Sequence, residues 1–266
     1  MILCIAQISP CWQNPEQTLD LIKLKVAEAK RYGASFIAFP EQIFTGWDPM
    51  DGDTFVQSEE GGIVSALRKY AYESSIGILG SYRESHHPRP RNTTVAIGPD
   101  GCILARYSKL HLFSPGGENV AYDPGEHISV FSYLGCQCGI AICYDLRFAD
   151  LFRLYRDAGV HLMLVPSAWP AARMHHFQLF ITARAAEFQM YVAGINTVGV
   201  TPVDHYSGGS VIAGPDGTIV CQGSDQQELL YTEINPEYAE NVRSGFPVHR
   251  DRKDALYRSM KPCSHG

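Results

Sequence analysis

Twice along the chain a strand–helix–strand pattern runs into a Gly-Pro-Asp-Gly turn set between two β-rich runs. The first is "TTVAIGPDGCILA" at 93–105 and the second "GSVIAGPDGTIVC" at 209–221. A turn of that composition between strand-forming residues is a strong hairpin signal. Its recurrence in matching context predicts two similar halves, packed sheet against sheet with helices outside. No other feature of the sequence restricts the fold as much.

The elements before each hairpin are legible from their patterns. "MILCIAQI" reads as a strand, and "NPEQTLDLIKLKVAEAKRYG" as a helix capped by Asn14, with Pro15 at its first position and Gly33 at its end. Leu19, Ile22, Val26 and Ala29 give that helix one apolar stripe. "SFIAFP" is a buried strand stopped by Pro40, residues 63–74 are helical, and "IGILGSY" is again a strand. In the second half "CGIAIC", "VHLMLVP" and "MYVAGINTV" read as strands, separated by the helices "ADLFRLYRDAG" and "HHFQLFITARAAEFQ". No linker or low-complexity stretch interrupts the series, so one α/β domain over 1–266 is expected.

With 28 acidic against 22 basic side chains the net charge is −6, which argues against nucleic acid or an anionic membrane as a partner. The N-terminus has no basic leader, and no apolar run approaches the ~18 residues of a membrane span. The chain is therefore expected to be cytoplasmic. Its eight cysteines include no CxxC pair; Cys136 and Cys138 share one face of a strand. Neither a disulfide framework nor a metal site is expected, and no cofactor.

Reactive groups in α/β sheets collect beyond the carboxyl ends of strands. Glu41 follows "FIAFP", Lys109 follows "CILARYS", and Cys143 ends "CGIAIC". Each alone has a duller explanation: a capping or solvated glutamate, an exposed lysine, a packed thiol. Together they supply a complete chemistry. A thiol is only a few per cent ionised at neutral pH, so a neighbouring base must activate it. A desolvated carboxylate has its pKa raised and can take and return that proton. An ammonium, with a backbone N–H such as that of Tyr144, stabilises the oxyanion formed when sulfur attacks a carbonyl.

"FPEQIFTG", "YSKLHLF" and "GIAICYDLRF", in this order and at these separations, resemble the nitrilase (carbon–nitrogen hydrolase) superfamily, and the resemblance runs nearly the whole chain, to "RDRKDALY". It implies an αββα sandwich with a Glu–Lys–Cys triad, and a homodimer that extends the layers. On that resemblance Glu41 is the general base, Lys109 the cation that stabilises the intermediate and Cys143 the nucleophile. It also implies a second glutamate downstream of the lysine, and spacing favours Glu118, nine residues beyond Lys109, over Glu126.

"ICYDLRF" and "SAWPAARMHHFQLFITARAAEFQMYVAGINTVG" are similar to the ω-amidase-like branch, which cleaves the terminal amide of short 2-oxo acids. Such a small-molecule substrate needs a cation for its carboxylate. Arg173, after the strand end "LVPSAWP", is the expected partner, while Arg147 is expected to pair with a carboxylate such as Asp145. Trp169 and Phe44 are expected to line the cleft, and His175 and His176 to cap a helix or bond substrate. The alternatives are N-carbamoyl or nitrile hydrolysis by the same triad, or a non-catalytic scaffold on the same fold.

Overall fold

A computed structural model describes residues 1–261; Cys263, the last of the eight cysteines, lies outside the described residues. The first half runs β1 (Ile2–Gln7), α1 (Pro15–Arg31), β2 (Phe36–Ala38), α2 (Gly62–Ser74), β3 (Gly77–Glu84), then the hairpin β4 (Arg91–Ile97) and β5 (Ile103–Ser108). A short helix, α3 (Glu118–Ala121), leads to the second half. There β6 (Val130–Tyr133) and β7 (Cys136–Ile140) precede α4 (Ala149–Asp157), β8 (Leu162–Ser167), α5 (Met174–Phe188) and β9 (Tyr191–Asn196). A small ribbon, β10 (Val198–Val200) and β11 (His205–Ser207), comes next, followed by the hairpin β12 (Val211–Ala213) and β13 (Ile219–Gln222) and the last strand, β14 (Glu228–Glu233).

The two predicted halves form two six-stranded sheets, ordered β14-β1-β2-β3-β4-β5 and β13-β12-β9-β8-β7-β6. Within each, three parallel strands are continued by the antiparallel Gly-Pro-Asp-Gly hairpin and closed on the far edge by one antiparallel strand. This is a mixed α/β sandwich with helices outside. Strand residues alternate between faces, and the central parallel strands are covered on both, so β1, β2, β7, β8 and β9 are buried along nearly their whole length. Leu3 and Ile5 of β1 pack with residues of the second sheet, including Ile140, Leu162 and Leu164. Cys4 and Ala6 turn outward onto Ile22 and Val26 of α1 and Leu67 of α2.

Local chemistry sets the helix limits as expected. The Asn14 side chain accepts from the Gln17 N–H, Pro15 opens α1, and Gly33 follows its end at φ +82°. Phe44 departs from expectation. It is fully buried in the layer between the first sheet and α1 and α2, not on a cleft wall. Gly80 of β3 makes room for its neighbour Leu67: a methyl there would lie 2.7 Å from Leu67 but in ordinary contact, 3.6 Å, with the Phe44 ring. Among the described residues no helix is long and apolar enough to cross a membrane.

Candidate active site

Four segments leave the ends of strands and converge. After β2 the chain turns at Gln42 (φ +44°), which leaves the Glu41 side chain buried. After β5 comes Lys109, and after β7 a single 3-10 turn, Cys143–Arg147, with Cys143 itself at φ +45°. After β8 come Ala168 and Trp169. A left-handed backbone costs a non-glycine residue about 1–3 kcal/mol, and such strain persists only where the surroundings hold it. Asp145 holds it here. Its fully buried carboxylate accepts from the Ile142 N–H at 2.9 Å, the Tyr107 hydroxyl at 2.7 Å, the His111 N–H at 2.9 Å and the His111 ring Nδ1 at 2.8 Å. His111 lies two residues beyond Lys109, so one carboxylate ties the cysteine turn to the lysine strand.

Lys109 Nζ lies 2.8 Å from Glu41 Oε1 and 2.8 Å from Glu118 Oε2, with all three side chains almost wholly out of water. Glu118 also accepts from the Phe113 N–H at 2.6 Å and the Trp47 indole at 3.3 Å; Glu126 is exposed and makes no ion pair with Lys109. Asn92 donates its amide to Glu41 at 2.7 Å and to Glu118 at 3.0 Å, and the Ala168 N–H donates to Glu41 Oε2 at 3.0 Å.

The charges respond to this packing. Burial raises the Glu41 pKa above the usual carboxylate value, against the opposing pull of Lys109. Burial resists the charge on Lys109, but Glu118 and Glu41 outweigh it and hold the ammonium well above its ordinary value. Glu118 is driven the other way: burial is overcome by Lys109, the Phe113 N–H and Asn92, and its carboxyl is lowered. The Cys143 thiol is pushed well up, first by burial and then by Glu41, with Lys109 opposing. Burial and Glu41 thus favour the neutral thiol of Cys143, set beside a carboxyl group and an ammonium.

A cleft opens onto this cluster, lined by Lys109, Cys143, Tyr144, Arg147, Trp169 and Arg173, with Trp47 and Phe113 on its walls. The Tyr144 N–H makes no hydrogen bond among the described residues. Arg147 does not pair with Asp145, because four donors already fill that carboxylate. Its guanidinium instead lies 4.8 Å from the Trp169 ring centroid and 5.3 Å from that of Phe180. Arg173 lies over Phe113 at 5.3 Å. His175 and His176 stand outside the cleft lining, and no side chain caps the start of α5.

The sequence reading missed Asn92, Trp47, Phe113 and the Ala168 N–H. Asn92 had a signal in the hairpin register. Thr93 pairs with Ser108, so the next step outward sets Asn92 opposite Lys109, whose N–H donates to the Asn92 carbonyl at 2.9 Å. The aromatic walls had none, since they come from loops that no periodicity describes.

The architecture and cleft are those of a carbon–nitrogen hydrolase. The chain belongs to that family: the family profile described as Carbon-nitrogen hydrolase matches residues 3–244. It is 30% identical to the omega-amidase NIT2 of Xenopus tropicalis over 259 residues, covering 92% of this chain and 91% of that protein. It is 26% identical to the 2-oxoglutaramate amidase of Bacillus subtilis, covering 96% and 98%. Among solved structures it superposes on the amidase of Nesterenkonia sp. AN1 with a TM-score of 0.84 at 28% identity, covering 94% of this chain and 99% of that one. That structure, of a glutamate-to-glutamine mutant, shows acrylamide added at the active-site cysteine.

Proposed function

We propose that this hydrolase is an amidase of the ω-amidase type. It cleaves the terminal amide of a small carboxylic acid, such as 2-oxoglutaramate or 2-oxosuccinamate, to the acid and ammonia through a thioester on Cys143. One observation carries the reading: Lys109 sits 2.8 Å from both Glu41 and Glu118 in a dry cluster that opens, with Cys143, onto a cleft edged by two arginines. Neither arginine has a carboxylate partner among the described residues. The names of the Xenopus and Bacillus relatives support the substrate class, and the adduct in the Nesterenkonia amidase supports the thiol as the reactive group.

Glu41 takes the Sγ proton as sulfur attacks the amide carbon, and the carbonyl π electrons move onto oxygen. Lys109, whose Nζ lies within 3.1 Å of Glu41 Oε1 and of both Glu118 oxygens, turns one of its three N–H groups to that oxyanion, and the Tyr144 N–H supplies the second donor. The tetrahedral centre collapses, the C–N bond breaks, and Glu41 returns its proton to the departing ammonia. Water then attacks the thioester, Glu41 takes a proton from it, and the C–S bond breaks to release the acid. That proton goes back to sulfur. Glu118 keeps Lys109 charged and in place throughout. Arg173, with Arg147 beside it, binds the substrate carboxylate, and Trp169 with Phe113 walls the cleft.

An ammonia-release panel tests the substrate. 2-Oxoglutaramate is expected to exceed a short nitrile by at least about 100-fold in kcat/KM, because a cleft built for a charged end rejects an analogue that leaves its cation unpaired, and to exceed an N-carbamoyl α-amino acid, whose carboxylate lies one bond nearer the attacked carbon. Faster turnover of the nitrile or carbamoyl compound would overturn the substrate class while leaving the thiol chemistry standing.

A further inference from the structure

Asn92 is fully buried on β4, and its side chain is satisfied on one end only. The amide nitrogen donates to Oε1 of Glu41 at 2.7 Å and to Oε1 of Glu118 at 3.0 Å. The amide oxygen is buried without a hydrogen-bond partner. The opposite amide orientation would set that oxygen against two carboxylate oxygens, lone pair against lone pair, so the two contacts fix the orientation shown. A buried asparagine kept only for packing would be expected to satisfy both ends. This one leaves its acceptor orphaned and spends both donors on the two glutamates.

The lone pairs on Glu41 then divide unequally. Oε1 accepts from Lys109 at 2.8 Å and from Asn92 at 2.7 Å, which fills it. Oε2 accepts only from the Ala168 N–H at 3.0 Å and keeps a free lone pair. We infer that Asn92 is a positioning residue: by occupying Oε1 and bridging to Glu118, it makes Oε2 the oxygen of Glu41 that exchanges the proton with Cys143. The inference rests on the reading of Glu41 as the base. It adds a donor to both glutamates beyond those of Lys109, whose Nζ already lies 2.8 Å from Glu41 Oε1 and 3.1 and 2.8 Å from the two Glu118 oxygens.

The test is the pH dependence of Cys143 alkylation by iodoacetamide, followed on the Cys143 peptide by mass spectrometry, alongside kcat and KM for 2-oxoglutaramate. In Asn92→Leu, kcat is expected to fall about 100-fold, the scale of a misdirected proton transfer, with KM changed less than about 3-fold. With one donor gone from Glu41, the acid limb of alkylation moves to higher pH by about one pH unit. Asn92→Ser, which keeps a hydroxyl donor and admits a water, recovers part of both. A purely structural role would lower the melting temperature and leave the acid limb in place, and that result overturns the inference. If Asn92→Leu does not fold, the acid limb of Asn92→Ser decides: a shift supports the inference and a wild-type limb ends it. Glu41→Gln separates the two readings. Wild-type alkylation in Glu41→Gln would remove Glu41 as the base. Slow alkylation there with a wild-type profile in the Asn92 variants would remove only the role of Asn92.

Discussion

Lys109 Nζ and Glu41 Oε1 are 2.8 Å apart, and the two side chains are 1% and 0% exposed. Two such charges leave water only when their remaining donors and lone pairs are satisfied. Because Glu118 completes the cluster, one ammonium faces two carboxylates, and the balance is made up by neutral donors: Asn92, the Phe113 and Ala168 N–H groups and the Trp47 indole. The cleft therefore holds a surplus of basic oxygen beside a thiol that burial keeps protonated.

Removing the cation should expose that imbalance. Lys109→Met leaves two buried carboxylates facing each other without their shared partner, and is expected to cost about 3–5 kcal/mol of stability. Turnover should fall at least about 1000-fold, since oxyanion stabilisation goes with it. Urea unfolding and ammonia release measure the two effects separately.

Activity and fold should fail at different acidities. Glu41 has its pKa raised, first by burial, so its base form is lost as pH falls through a value above the ordinary carboxylate range of about 4.5. Glu118 has its pKa lowered, so its contribution to stability is present above about 4.5 and lost only as pH falls through the lower folded value. Lys109, held above its ordinary value, contributes stability below about 10.5 that is lost as pH rises through the raised one. Acidification is thus expected to extinguish kcat/KM while circular dichroism still reports a folded chain. Coincident loss of both would contradict this ordering.

The cleft arginines should distinguish charged from neutral amides. Arg173→Leu is expected to raise KM for 2-oxoglutaramate by about 30- to 100-fold, the worth of a charge-assisted hydrogen-bonded pair, and to leave hydrolysis of butyramide within about 3-fold. Arg147→Leu should act in the same direction and also loosen Trp169, on whose ring its guanidinium lies at 4.8 Å. Parallel kinetics on the two amides read the difference.

Most of the fold was legible because the hairpins and helix ends are local chemistry. Asn14, Pro15 and Gly33 mark α1, and each Gly-Pro-Asp-Gly turn carries its strand pair with it. The convergence of Glu41, Lys109 and Cys143 was legible from motif order and not from periodicity, which says nothing about which strand ends meet. Phe44 shows the limit. An aromatic three residues beyond Glu41 reads equally well as cleft or core, and only the turn at Gln42 (φ +44°) decides that it points to the helices. Arg147 departs from expectation for a related reason: Asp145 is two residues away in sequence, but its acceptor sites are filled by Tyr107 of β5, His111 after Lys109 and the Ile142 N–H.

Phe44→Ala accordingly belongs with the core. A buried phenylalanine truncated to alanine typically costs about 3–5 kcal/mol. The melting temperature should drop by that measure while KM for the amide substrate stays unchanged at a temperature where the variant is folded. A large change in KM without loss of stability would return Phe44 to the cleft.

The most direct test of the account is to quench steady-state hydrolysis of 2-oxoglutaramate in acid and weigh the Cys143 peptide. An acyl mass is expected on that peptide, attached as a hydroxylamine-labile thioester, with no ammonia release from Cys143→Ala in a correctly folded protein. Ammonia released at a wild-type rate by Cys143→Ala would contradict it.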